Sequence, residues 1–168
     1  WRCDTIEQWT QGRPLSFDEI IIHWKAIGYM SHLNRGAHLI ITGGEPLLQM
    51  QSLAAFIRYL RQKLDPCPLI ECESNGTISP TSAILKQIPH FNISPKLQNS
   101  GMALSDRINP VALQQFLNSD NSIFKFVVSE ASDIEEIMTH YISPFQIPSH
   151  KIYLMPAADS ATTLQTMA

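Results

Sequence analysis

Residues 38–49, "HLIITGGEPLLQ", begin as an apolar β-type run and then set two glycines, a glutamate and a proline ahead of a second, helical run. Glycine admits positive φ and lets a ligand approach the backbone, and proline at the next step suits the first turn of a helix. A plain strand-to-helix connection would account for the Gly-Gly pair by itself. The adjacent Glu45 shifts the reading toward ligand contact. A carboxylate at an open rim stays solvated, costs little to keep, and accepts hydrogen bonds from a ligand ammonium.

Working outward, short runs rich in branched or aromatic residues mark strands at 38–42, 68–73, 90–94, 123–128 and 151–155. Helical patterns lie between them. The first spans about 16–33, with Ser16 as N-cap, Glu19 three residues on, and Phe17, Ile20, Ile21, Trp24 and Ile27 on one face. Its Gly28 is a weak point at which the helix ends or bends. The second spans about 50–64 and sets Leu53, Phe56, Ile57 and Leu60 at core spacing. Shorter helices are expected at 80–88, 110–118 and 132–142, the middle one opened by Asn109-Pro110.

Alternating strands and helices imply an α/β fold with mainly parallel pairing through right-handed crossovers, either a three-layer sheet or a barrel. Gly43-Gly44-Glu45, Ser74-Asn75-Gly76-Thr77, Ser94-Pro95-Lys96 and Met155-Pro156 each follow a strand's carboxyl end. That is the edge at which β/α proteins build their sites. Four such clusters favour one composite site over four unrelated turns.

With 168 residues, 44% of them hydrophobic, and a net charge of −3, the chain reads as one globular domain over 1–168. No apolar run reaches the roughly 20 residues of a membrane span, and no basic stripe marks a nucleic-acid partner. Three cysteines without a secretory signal argue for a reducing compartment, hence the cytoplasm. The opening "WRCDT" lacks a methionine and the chain stops inside a helical-looking "DSATTLQTMA". It therefore reads as a piece of a longer protein, with a first strand and a closing segment expected outside it.

Several residues carry chemistry or its bland alternative. In "ECESNGT", Glu71 and Glu73 are assigned to opposite faces of the strand, one inward and one outward, with Glu73 the functional member because it stands nearer the strand end. Asn75-Gly76 is an ordinary turn dipeptide. Ser94-Pro95-Lys96 is readable as a strand terminator with a surface charge. Lys125 lies in an apolar strand and should reach the rim or find a carboxylate. Cys67 and Cys72 read as small core hydrophobes, whereas Cys3, followed by Asp4 and Thr5, stands in a segment without helical or strand patterning.

Taken in order, "WRCDT", "ITGGEP", "ESNGT", "ISPK", "FKFVV" and "YLMP" resemble a radical S-adenosylmethionine enzyme, within that superfamily the 7-carboxy-7-deazaguanine synthases. "GGEP" marks only the superfamily; Cys-Asp-Thr, Glu-Ser-Asn-Gly-Thr and Ser-Pro-Lys together mark the synthases. The resemblance implies a partial (β/α) barrel and a lyase converting 6-carboxy-5,6,7,8-tetrahydropterin to 7-carboxy-7-deazaguanine on the way to queuosine. It implies Cys3 as the last of three cysteines on a 4Fe-4S cluster. Gly43, Gly44 and Glu45 would stand at the methionine amino end of S-adenosylmethionine, Ser94 and Lys96 at its carboxylate or ribose, and the backbone at Met155 at its adenine. Thr5 would bind Mg²⁺, and Thr42 and Glu73 would face the pterin. A flavodoxin-type or ferredoxin reductant is implied, and a homodimer is left open. Two alternatives share part of these motifs: a glycyl-radical-enzyme activase or another radical S-adenosylmethionine protein, and a non-catalytic barrel paralogue or binding protein without radical chemistry.

Overall fold

Every strand that the sequence marks forms, close to its expected bounds: β1 Leu39–Ile41, β2 Ile70–Ser74, β3 His90–Ile93, β4 Ser122–Val128 and β5 Ile152–Pro156. The structure, a computed structural model, describes residues 12–157. These divide into two units, one made of residues 12–73 and 80–90, the other of residues 74–79 and 91–157.

In the first unit the chain enters the helix Phe17–Ala26 through a capping box. The Ser16 amide donates to Glu19 Oε2 at 2.7 Å, and the Glu19 amide donates to Ser16 Oγ at 3.2 Å. Two backbone donors that a helix start leaves unmatched are thereby satisfied. The helix stops at Ile27, Gly28 turns left-handed at φ +81°, and a second helix, Tyr29–Leu33, begins. The single helix expected over 16–33 is thus two, broken at its glycine. Ile27, expected on the core face, becomes the C-cap, loses helical ψ and is left 47% exposed.

The helix Met50–Lys63 buries Leu53, Ile57 and Leu60, the spacing expected of its core stripe. Each such side chain contributes on the order of 1.5–3 kcal/mol when fully withdrawn from water. Phe56 on the same helix meets the ring of Phe17 at 5.2 Å and that of Trp24, edge-on, at 5.9 Å, which docks the first helix. β1 and β2 run parallel, with Leu39 level with Ile70 and Ile41 with Cys72. The helix Ser82–Gln87, capped by Thr81, adds Ile84 to the core, and the Arg61 guanidinium donates to the Gln87 carbonyl at 2.6 Å.

The second unit is built on β3, β4 and β5, which pair in parallel. Phe91, Phe116, Phe124, Phe126 and Tyr141 are all fully buried. Phe91 packs on Phe116 at 5.5 Å and Phe126 on Tyr141 at 5.1 Å. The helix Pro110–Leu117 opens as expected at Asn109, whose side chain accepts from the amides of Val111 and Ala112. After β4 the helix Ala131–Ile137 widens into a π-helical turn, Met138–Ile142, before a last short helix, Ser143–Phe145.

Asn75-Gly76 does make a turn, but packing restricts its glycine as well. Gly76 has φ +77°, and a Cβ there would stand 2.9 Å from Ile93 Cγ2 and 3.1 Å from Leu113 Cδ2. Gly76→Ala should therefore cost about 1–3 kcal/mol, from left-handed strain and from overpacking. A lower urea midpoint of unfolding at unchanged slope is the expected result, and a midpoint equal to the parent's would show that Ile93 and Leu113 give way.

Candidate functional site

Because β1 and β2 are parallel, Thr42, which follows β1, and Glu73, near the carboxyl end of β2, stand at one edge of the first unit. The Thr42 hydroxyl donates to Glu73 Oε2 at 3.3 Å, so the two residues expected to face one substrate do meet. Gly43 has φ +93° with, among the described residues, no atom within 4 Å of where a Cβ would be, and Gly44 is also left-handed, at φ +36°. The first glycine thus keeps a side chain's worth of space open against the backbone. Glu45 then returns to extended backbone and caps the turn Pro46–Gln49, its Oε1 accepting from the Leu47 amide at 3.1 Å. The capping role is local, yet compatible with ligand contact. A carboxylate can accept several hydrogen bonds at once.

Glu71 and Glu73 correct the sequence reading. Residues two apart on a strand share a face, and both glutamates lie half-buried on one side of β2 while Ile70, Cys72 and Ser74 are buried on the other. Glu71 is held against His38 Nδ1 at the far end of β1, and Glu73 against Thr42. Burial pushes the Cys72 thiol up to about 12, with the charges of Glu45 and Glu73 adding to the effect. Such a thiol stays protonated at neutral pH, as a small buried hydrophobe does.

In the second unit Ser94 follows β3, its amide donating to the Ser74 carbonyl at 2.7 Å. Pro95 and Leu97 are buried and Lys96 between them is exposed. The Lys96 carbonyl accepts from the Tyr141 hydroxyl at 2.9 Å and from Arg107 Nη1 at 3.4 Å. Met155, level with Val127 in the β4–β5 ladder, is 43% exposed. Ile93 and Ile152 are both level with Phe124, so Ser94 and Met155 lie toward the same carboxyl edge of this unit.

Sequence reasoning missed the polar network that fixes this loop. Arg107 and Glu136 form a buried ion pair, Glu136 Oε2 accepts from the Gln98 amide at 2.8 Å, and Arg107 Nε donates to the Met102 carbonyl at 2.9 Å. Neither charged residue lies in a motif or a periodic pattern that would have announced it.

Cys3 and Thr5, expected on the cluster and on magnesium, lie outside the described residues. Among the described residues no group of three His, Cys, Asp or Glu side chains could hold a metal ion. Cys67 and Cys72 are not disulfide-bonded, the second fully buried and the first partly so, with its thiol raised by burial.

No family model matches the chain. It is 30% identical over 164 residues to the 7-carboxy-7-deazaguanine synthase of Pyrobaculum aerophilum, covering 94% of this chain and 65% of that protein. To the 7-carboxy-7-deazaguanine synthase of Hyperthermus butylicus it is 28% identical over 159 residues, covering 92% and 62%. The chain thus spans slightly less than two thirds of the length of these curated relatives. Among solved structures, the crystal structure of QueE from Escherichia coli matches with a TM-score of 0.58 at 19% identity, over 90% of this chain and 57% of that one. That likeness shows the fold, a β/α arrangement of parallel strands as the motifs implied. The relatives named by whole-chain similarity are those that "CDT", "GGEP", "ESNGT" and "ISPK" had singled out, so in sequence this chain is similar to the 7-carboxy-7-deazaguanine synthases.

Proposed function

We propose that this chain forms the S-adenosylmethionine-binding core of a radical lyase that converts 6-carboxy-5,6,7,8-tetrahydropterin to 7-carboxy-7-deazaguanine. The observation that carries the reading is the edge after β1: an uncrowded glycine at positive φ, followed by an oriented carboxylate, beside a Thr42–Glu73 pair. A backbone without side chains lets the methionine end of the cofactor come close, and Glu45 accepts from its ammonium. Thr42 fixes one oxygen of Glu73, turning the carboxylate into an oriented acceptor for the N–H-rich edge of a pterin. In the second unit Ser94, Lys96 and the backbone at Met155 are the further cofactor contacts proposed, on the sequence resemblance and on their place toward one carboxyl edge of that unit.

The cofactor and a 4Fe-4S cluster would together supply the radical chemistry. Cys67 and Cys72 do not fit as cluster ligands, since neither belongs to a group of side chains that could hold a metal among the described residues; Cys3 is the proposed ligand, and Thr5, a hydroxyl suited to a hard cation, the proposed Mg²⁺ ligand. A flavodoxin-type or ferredoxin reductant, a cytoplasmic setting and a homodimer belong to the same proposal. Among the described residues no helix is long and apolar enough to cross a membrane.

Three measurements test it. Glu45→Gln keeps an oxygen to cap Leu47 but replaces the charged acceptor, so calorimetry on the anaerobically purified full chain should show S-adenosylmethionine bound about 1–3 kcal/mol more weakly; unchanged affinity would reduce "GGEP" to a turn. Cys3→Ala should abolish cluster absorbance while Cys67→Ala and Cys72→Ala retain it, and loss of the cluster in either of the latter two would overturn the ligand assignment. Thr5→Val keeps shape and removes the oxygen, so turnover and pterin affinity should stop responding to Mg²⁺ with cluster content unaltered. A parental magnesium response in that variant removes Thr5 from the metal.

A further inference from the structure

The loop after β3 is held by a polar network larger than a connection of its length requires. Three of its backbone groups are tied to side chains: the Lys96 carbonyl to Tyr141 and Arg107, the Gln98 amide to Glu136, and the Met102 carbonyl to Arg107. Asn99 adds two more ties, donating to the Val127 carbonyl at 3.1 Å and to Asp133 Oδ2 at 3.0 Å. Asp133 Oδ2 in turn accepts from the amides of Ser129 and Glu130. Apart from Arg107 and Val127, these anchors belong to the stretch from Ser129 to Tyr141 that follows β4.

Within this loop Lys96 is the exposed cation, set between buried Pro95 and Leu97. With both neighbours buried and its own carbonyl held by Tyr141, the backbone of Lys96 is fixed, and with it the direction in which the Cα–Cβ bond leaves the chain. A buried tyrosine needs a partner for its hydroxyl, and many carbonyls would serve that need. This one also receives Arg107, and the residue that owns it carries the exposed charge. The π-helical turn Met138–Ile142 is the second, independent observation. Such turns are rare in helices and recur at functional sites, and here the turn carries Tyr141.

We infer that Tyr141 is a positioning residue for Lys96, directing the lysine ammonium toward the anionic or hydroxyl group of a bound cofactor through the hydrogen bond to the Lys96 carbonyl. The inference rests on the reading of Lys96 as a contact to S-adenosylmethionine. Arg107 and Glu136 brace the same carbonyl and the amide two residues on, so the ion pair acts on the loop and not on the ligand.

Tyr141→Phe keeps the ring against Phe126 and removes only the hydroxyl. Calorimetry with S-adenosylmethionine on the anaerobically purified full chain should show affinity reduced about fivefold, the worth of one typical hydrogen bond. Lys96→Met should weaken binding at least as much, and Tyr141→Phe should have no further effect in that background. Phe126→Leu, which disturbs the same ring without touching Lys96, controls for stability: at a comparable melting temperature it should bind the cofactor as the parent does. Parental affinity in Tyr141→Phe, additive losses in the double variant, or an equal loss in Phe126→Leu would each overturn the positioning role. Parental affinity in Lys96→Met overturns it too while leaving the proposed function standing, whereas a parent that binds no S-adenosylmethionine overturns both.

Discussion

Where a parallel strand ends, its backbone amides and carbonyls lose their ladder partners, and an unpaired buried group costs as much as a lost hydrogen bond. The candidate site of this protein is arranged around that constraint. After β1 the Glu45 carboxylate receives the Leu47 amide. After β2 the Ser74 hydroxyl receives the Gly76 amide and Asn75 receives that of Thr77. After β3 the Ser94 amide goes to the Ser74 carbonyl and the Lys96 carbonyl to Tyr141 and Arg107. Within each unit, backbone groups at the carboxyl ends of the strands are satisfied by side chains, and in β/α proteins that end is where ligands are met.

Local chemistry was the legible part of this fold. Strand bounds followed from short branched runs, the first helix from Ser16 and Glu19, the break at Gly28 from its lack of a side chain, and the helix at Pro110 from Asn109. Each of those signals acts within a few residues of where it is written. Ile27 escaped because a helix that ends one residue early turns a core position into an exposed cap. The two glutamates of β2 were separated by a misapplied alternation; an interval of two returns to the same face, and their shared side places one beside His38 and the other beside Thr42.

The site was legible where a motif sat beside a strand end and illegible where partners were far apart in sequence. Arg107 and Glu136 are 29 residues apart, and Tyr141 lies 45 residues from Lys96. Nothing in either periodicity announces such pairs, because they are created only when the crossover after β4 packs back on the loop after β3. Gly76 shows the intermediate case. The turn was visible from Asn-Gly, but the closeness of Ile93 and Leu113, which excludes a methyl group, comes from packing alone.

The exposed lysine between two buried neighbours has a consequence for the entropy of capture. Ordering a residue's backbone costs about 1–2 kcal/mol, and a lysine side chain carries about 2 kcal/mol of rotamer freedom. With Pro95 and Leu97 buried and the intervening carbonyl fixed, the backbone portion is settled when the chain folds. Under the proposed function, a cofactor anion arriving at Lys96 would have only side-chain torsions left to restrain. The loop would then give up its freedom once, at folding, instead of at every encounter.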